Sequence, residues 1–133
     1  MINKISHLGI VVKDLDRAIA KFKGFGLTCT ETTELTVLGV KIAFFPVGDS
    51  QMELICFLDA EKGLGSIVRS QKGTINHICF EVDDLEKTIQ DFEKNGVRLI
   101  KGYPKQGAHG RVAFFDPKTT EQVLIEICEL ASM

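Results

Sequence analysis

Ile5-Ser-His7-Leu-Gly9-Ile-Val-Val12-Lys-Asp14-Leu15 and Ile75-Asn-His77-Ile-Cys79-Phe-Glu-Val82-Asp-Asp84-Leu85 are two renderings of one pattern, 70 residues apart. The same offset relates Ile19 to Ile89, Phe22 to Phe92, Gly26 to Gly96, and Ala43-Phe44-Phe45 to Ala113-Phe114-Phe115. A period of this length is too long for a solenoid and marks the duplication of one small module. Each copy opens on an apolar strand that carries a histidine, His7 or His77. Each also sets a glutamate inside a late apolar strand: Glu53 between Met52 and Leu54, and Glu126 between Ile125 and Ile127.

The spacing of apolar and turn residues gives each copy the same grammar. Residues 5–12 form an apolar run rich in β-branched residues and broken by Ser6, His7 and Gly9, which predicts a mostly buried strand. Asp14 caps a helix bearing Leu15, Ala18, Ile19 and Phe22, and Gly24 and Gly26 end it. Residues 27–34, rich in threonine, predict an exposed strand; 39–47 and 51–58 predict two more around the turn Gly48-Asp49-Ser50. In the second copy, 75–82 is a strand and Asp84 caps a helix with Leu85, Ile89 and Phe92, ended by Asn95-Gly96. Residues 97–101 are expected to be a strand, 103–110 a loop, 111–115 a strand, 116–122 a turn and 123–129 the last strand. The fold class is therefore α+β, two tandem βαβββ modules in a single domain over 1–133. Module one spans 1–58, a connection with a short helix near 67–69 spans 59–73, and module two spans 74–130.

Composition bounds the function. The 133 residues, 44% of them hydrophobic, suffice to bury one core. A net charge of −2 with no long basic run speaks against a nucleic-acid partner. No apolar run has the length of a membrane span, and Asn3, Lys4, Ser6 and His7 interrupt any apolar signal region, so the chain is expected to be cytoplasmic. Cys29, Cys56, Cys79 and Cys128 form no CxxC and are read as small hydrophobes in a reducing compartment.

The histidines and glutamates carry the functional expectation. A carboxylate in mid-strand among Val, Leu, Ile and Cys needs a partner, because burying it bare costs several kcal/mol or more. A single strand histidine is more often a hydrogen-bonded core residue, and a single strand glutamate on an antiparallel sheet often faces solvent. Two of each at matching places in a duplicated module are a different matter. If the copies pair about a pseudo-two-fold, His7 faces His77 and Glu53 faces Glu126, a set suited to a divalent ion such as Zn, Ni, Co or Mn. The phenylalanine pairs are read as core or cavity wall. Asp14 and Asp84 are read as caps, His109 in Gly107-Ala-His-Gly110 as an exposed loop residue, and Lys41, Lys101, Lys105, Arg111 and Lys118 mostly as solvated charges.

Over residues 5–130 the chain resembles the vicinal oxygen chelate superfamily of glyoxalases, bleomycin-resistance proteins and extradiol dioxygenases. Within it the resemblance is to the methylmalonyl-CoA epimerase family, through Ser6-His7, Gly39-Val-Lys-Ile-Ala-Phe-Phe-Pro-Val-Gly48, Met52-Glu-Leu54, Ile75-Asn-His77, Gly107-Ala-His-Gly110, Pro117-Lys118 and Val123-Leu-Ile-Glu126. Glyoxalase I (lactoylglutathione lyase) is next. The resemblance implies an eight-stranded half-open barrel and a homodimer. It also implies metal ligands at His7, Glu53, His77 and Glu126, with Glu126 or Glu53 as the catalytic base. The chemistry it implies is proton removal next to a carbonyl, with a metal-bound enediolate, on a small-molecule thioester or thiol-adduct substrate. The chain departs from the epimerase pattern at Asp116, where histidine is usual, at Glu121-Gln122, where Gly-Gly is usual, and at Lys41, where some epimerases carry a glutamate. Three functions remain open: an epimerase of 2-substituted malonyl-CoA thioesters, a glyoxalase I type lyase, and a drug-resistance type binding protein without catalysis. An iron dioxygenase fits less well, since its site uses two histidines and one carboxylate.

Overall fold

The computed structural model describes residues 1–36, 38–58 and 75–130; most of the connection, with its expected short helix, lies outside them. The chain separates into two compact units: His7–Asn76, and Met1–Ser6 together with His77–Met133. The described residues hold eight strands and two α-helices.

In the His7–Asn76 unit, β1 (Ile2–Val11) is followed by α1 (Leu15–Lys23), β2 (Glu31–Leu35), β3 (Val40–Val47) and β4 (Ser50–Phe57). The strand order is β2-β3-β4-β1. β1 lies parallel to β4, from His7 opposite Gln51 to Val11 opposite Ile55. Asp14 begins α1 as expected, its Oδ1 accepting from the Arg17 N–H at 3.0 Å, which satisfies one of the donors a helix start leaves free. The apolar face of α1 closes on a core of Leu15, Ala43, Phe45 and Leu54, with Ile19, Phe22 and Met52 packed against it.

The other unit begins with the first residues of β1 and continues through β5 (Ile75–Val82), α2 (Leu85–Lys94), β6 (Lys105–Gln106), β7 (Gly110–Phe115), a 3₁₀ turn (Pro117–Thr119) and β8 (Ile125–Leu130). Its order is β1-β5-β8-β7-β6. Asn3 Nδ2 donates to Asp83 Oδ1 at 2.8 Å. Asp84 caps α2 as Asp14 caps α1, its Oδ1 accepting from the Lys87 N–H at 3.0 Å. Phe92 of α2 meets Phe115 of β7 with ring centroids 5.0 Å apart. The phenylalanine pairs are core: Phe44, Phe45, Phe114 and Phe115 are all buried.

One expectation needs correcting. Residues 97–101 do not form a strand; only Leu99 bridges to Phe115, and a short β6 appears instead at Lys105–Gln106, inside the stretch expected to be loop. The Val97 N–H is occupied by the Phe92 carbonyl at the end of α2, and a turn at Lys101-Gly102 follows, closed by Tyr103 N–H to the Ile100 carbonyl. Only residues 98–100 are left to pair. From Leu99 to Lys105 is six steps while the partner strand moves three, Phe115 to Val112, so three residues bulge out of the ladder. Within the bulged stretch, Lys101, Gly102 and Pro104 are exposed and Tyr103 turns inward. β8 also starts two residues later than expected, because Glu121 and Gln122 adopt left-handed backbone (φ 55° and 68°) before it.

Candidate functional site

Both copies build the same local arrangement. Glu53 on β4 stands opposite Gly9 of the parallel β1 and opposite Phe44 of the antiparallel β3. Glu126 on β8 stands opposite Cys79 of the parallel β5 and opposite Phe114 of the antiparallel β7. Gly9 and Cys79, like Phe44 and Phe114, keep the offset of 70. Side chains two apart on a strand share a face, so His7, two residues before Gly9, shares a face with Glu53. His77, two before Cys79, shares one with Glu126. The contacts follow: His7 Nδ1 lies 2.9 Å from Glu53 Oε2, and His77 Nε2 lies 3.0 Å from Glu126 Oε1.

These pairs are largely withdrawn from water. His7, His77 and Glu126 are buried, and Glu53 is half-buried. Around Glu126, Leu124, Ile127 and Cys128 are buried as well, so β8 is covered on both faces there. Phe114 of β7 and the His77 ring pack edge to face, their centroids 5.1 Å apart. The donor set and its spacing suit a divalent cation: two ligand atoms about 2.0–2.2 Å from one ion stand roughly 3 Å apart, the separation each histidine already keeps from its glutamate. Imidazole with carboxylate fits Zn, Ni, Co or Mn better than a soft thiolate-seeking ion.

Other candidate residues fall outside these pairs. His109 is exposed in its loop, and Lys41 is half-buried on β3, opposite Cys56 and Glu34. The four cysteines are free thiols. Asp84, Glu86 and Glu129 gather at the start of α2, where Glu129 accepts from the Leu85 N–H at 2.8 Å and Glu86 pairs with Arg111; capping and a surface ion pair account for them.

Sequence patterning does not single out Tyr103, which the structure does. Its side chain is buried, and its hydroxyl is one of two buried side-chain polar atoms, with Gln51 Oε1, that have no hydrogen-bond partner among the described residues. Burial pushes its phenol well above the usual tyrosine range, and the Glu126 carboxylate adds to the shift. The available signal was that Tyr103 is the only tyrosine of the chain, set between Gly102 and Pro104.

Residues 6–115 match the Glyoxalase/Bleomycin resistance protein/Dioxygenase superfamily. The chain belongs to that superfamily. It is 33% identical over 129 residues to the mitochondrial methylmalonyl-CoA epimerase of Homo sapiens, covering 95% of this chain and 73% of that one. To an ethylmalonyl-CoA/methylmalonyl-CoA epimerase of Cereibacter sphaeroides it is 30% identical over 131 residues, covering 96% and 98%. The crystal structure of methylmalonyl-CoA epimerase from Mycobacterium tuberculosis superposes with a TM-score of 0.87 at 27% identity, covering 98% of this chain and 90% of that one. The chain therefore has the glyoxalase-like fold that its duplicated grammar predicts.

Proposed function

We propose that this chain catalyses proton transfer at the α-carbon of a 2-substituted malonyl-type CoA thioester and so interconverts its two epimers. The carrying observation is the repeated buried histidine–glutamate pair, in a chain whose relatives include methylmalonyl-CoA epimerases. In this reading His7, Glu53, His77 and Glu126 are metal ligands, as the family resemblance implies. When bound, a divalent ion stabilises the negative charge that develops on acyl oxygens as the α-proton leaves.

The chain's own residues do the rest. Epimerisation removes a proton from one face of a carbon and returns one to the other. Glu126 or Glu53 is the base: released from the metal, that carboxylate takes the α-proton from one face, and the proton is returned to the carbon from the opposite face. His7 and His77 orient the two glutamates, each through the contact of about 3 Å described above. The apolar residues flanking Glu126 limit the water that competes for the proton. We read the protein further as a homodimer in the cytoplasm; the first part rests on family resemblance, and four free thiols fit a reducing compartment.

The test is deuterium wash-in at the α-carbon of methylmalonyl-CoA in heavy water, with and without added Zn, Ni, Co or Mn. Metal-dependent exchange that disappears in Glu126→Gln supports the reading. No exchange, with turnover of methylglyoxal plus glutathione instead, would move the chain to the lyases. Tight ligand binding by metal-free protein without either reaction would make it a binding protein.

A further inference from the structure

The relation of Tyr103 to the second pair is not explained by folding. The bulge between Leu99 and Lys105 carries the ring inward until the residue is 7% exposed. Its ring packs edge to face with Phe114, centroids 5.3 Å apart, Phe114 packs likewise with His77, centroids 5.1 Å apart, and Phe114 is the direct cross-strand neighbour of Glu126. Tyr103 is thus one ring away from the His77–Glu126 pair. A phenylalanine would fill the same apolar space. The hydroxyl is fully covered and has no partner among the described residues, an arrangement that costs roughly 1–3 kcal/mol. Lys105 stands over the same ring, its Nζ 4.8 Å from the centroid. The ring thus lies under a cation and one aromatic ring away from the cross-strand neighbour of Phe114, Glu126.

We propose that the Tyr103 hydroxyl is a substrate-contacting donor, whose missing partner is an acyl oxygen, carboxylate or thioester carbonyl, of the ligand at the His77–Glu126 pair. A group that stays protonated through neutral and mildly alkaline conditions suits this role, because it donates to a negative oxygen without surrendering its proton. The Lys105 ammonium over the ring favours the same negative oxygen. The proposal rests on the thioester reading given above, and a test can separate the two.

The chain has one tyrosine and no tryptophan, so a tyrosine label reports on Tyr103 alone. Protein made with 3-fluorotyrosine gives one fluorine resonance, to be followed during titration with methylmalonyl-CoA. The Tyr103→Phe variant is compared with wild type for KM, kcat and melting temperature. The proposal predicts a ligand-induced shift of the resonance and a loss of about tenfold in kcat/KM, about 1.4 kcal/mol, with no fall in melting temperature. A rise in KM alone assigns the contact to the substrate carboxylate; a fall in kcat assigns it to the carbonyl on which charge develops. Exchange by wild type with a motionless resonance overturns the proposal, as does a Tyr103→Phe variant that melts lower yet turns over normally. If wild type neither binds nor exchanges methylmalonyl-CoA, the thioester reading itself has failed. The same resonance is then followed with malonate, acetyl-CoA and S-lactoylglutathione: a shift with one of them upholds the contact with an acyl oxygen, and no shift with any of them overturns it.

Discussion

His77 Nε2 lies 3.0 Å from Glu126 Oε1, with both side chains shielded from solvent. Removing one partner of such a buried contact leaves the other short of a hydrogen-bond partner, an effect of about 1–3 kcal/mol. Glu126→Gln keeps the shape and a hydrogen-bonding oxygen, whereas Glu126→Ala removes both. Glu126→Ala should therefore lower the unfolding free energy by about 1–3 kcal/mol, and Glu126→Gln by less, as read from urea unfolding midpoints. Elemental analysis after metal loading should fall from about one ion per chain in wild type toward none in Glu126→Ala. Equal metal content in the two proteins would remove Glu126 from the ligand set.

Alkaline titration isolates Tyr103. An ordinary tyrosine loses its proton near pH 10, but burial, with help from Glu126, holds the folded phenol above that range. The unfolded chain releases its proton first, so above about pH 10 it binds fewer protons than the folded chain. Stability is unaffected by this group below about pH 10 and falls as pH rises beyond it. Phenolate absorbance of wild type should therefore appear late and together with loss of circular dichroism. In Tyr103→Phe the alkaline loss of stability should be shallower. A phenol that titrates near pH 10 in the folded protein would contradict its burial.

Glu121 and Gln122 hold φ of 55° and 68° on the exposed approach to β8. Left-handed backbone costs a residue with a Cβ roughly 1 kcal/mol relative to glycine, partly offset by the greater freedom glycine has when unfolded. Glu121→Gly and Gln122→Gly should each leave stability unchanged or raise it by about 0.5 kcal/mol, measured by urea unfolding. Proline at either position should destabilise strongly, since its ring fixes φ near −65°.

The helix starts offer a test of the duplication itself. Asp14 and Asp84 make the same capping bond at the same distance, 70 residues apart. Each change to alanine should cost about 1 kcal/mol. α2 has a further acceptor, Glu129 on the Leu85 N–H, so Glu129→Ala should add its own loss there. The two cap losses should agree within about 0.5 kcal/mol and add in the double variant, the sites being far apart in sequence and each acting within its own helix.

Much of this was legible in the sequence because the module is written twice. Capping aspartates, the β-branched opening strands and the Phe-Phe pairs each follow from local chemistry, and the offset of 70 turns weak local signals into mutually supporting ones. His7, Glu53, His77 and Glu126 stood out because charged or titratable side chains interrupt apolar strands. What stayed hidden depended on competition for backbone donors. Residues 97–101 look like a strand, but Val97 is taken by the end of α2 and Gly102 turns the chain, which leaves room for only one bridge to β7. Tyr103 lies in that interruption, where periodicity carries no information about which side chain turns inward.

The most direct test of the central claim is deuterium exchange into methylmalonyl-CoA by protein stripped with chelator and then reloaded. Expected are exchange by the loaded protein, its loss on stripping, its return with a divalent ion, and a fall of about 10²-fold or more in Glu126→Gln, the scale of losing a positioned acid–base group. Exchange that survives complete metal removal, or a Glu126→Gln variant as fast as wild type, would contradict metal-assisted proton transfer at this site.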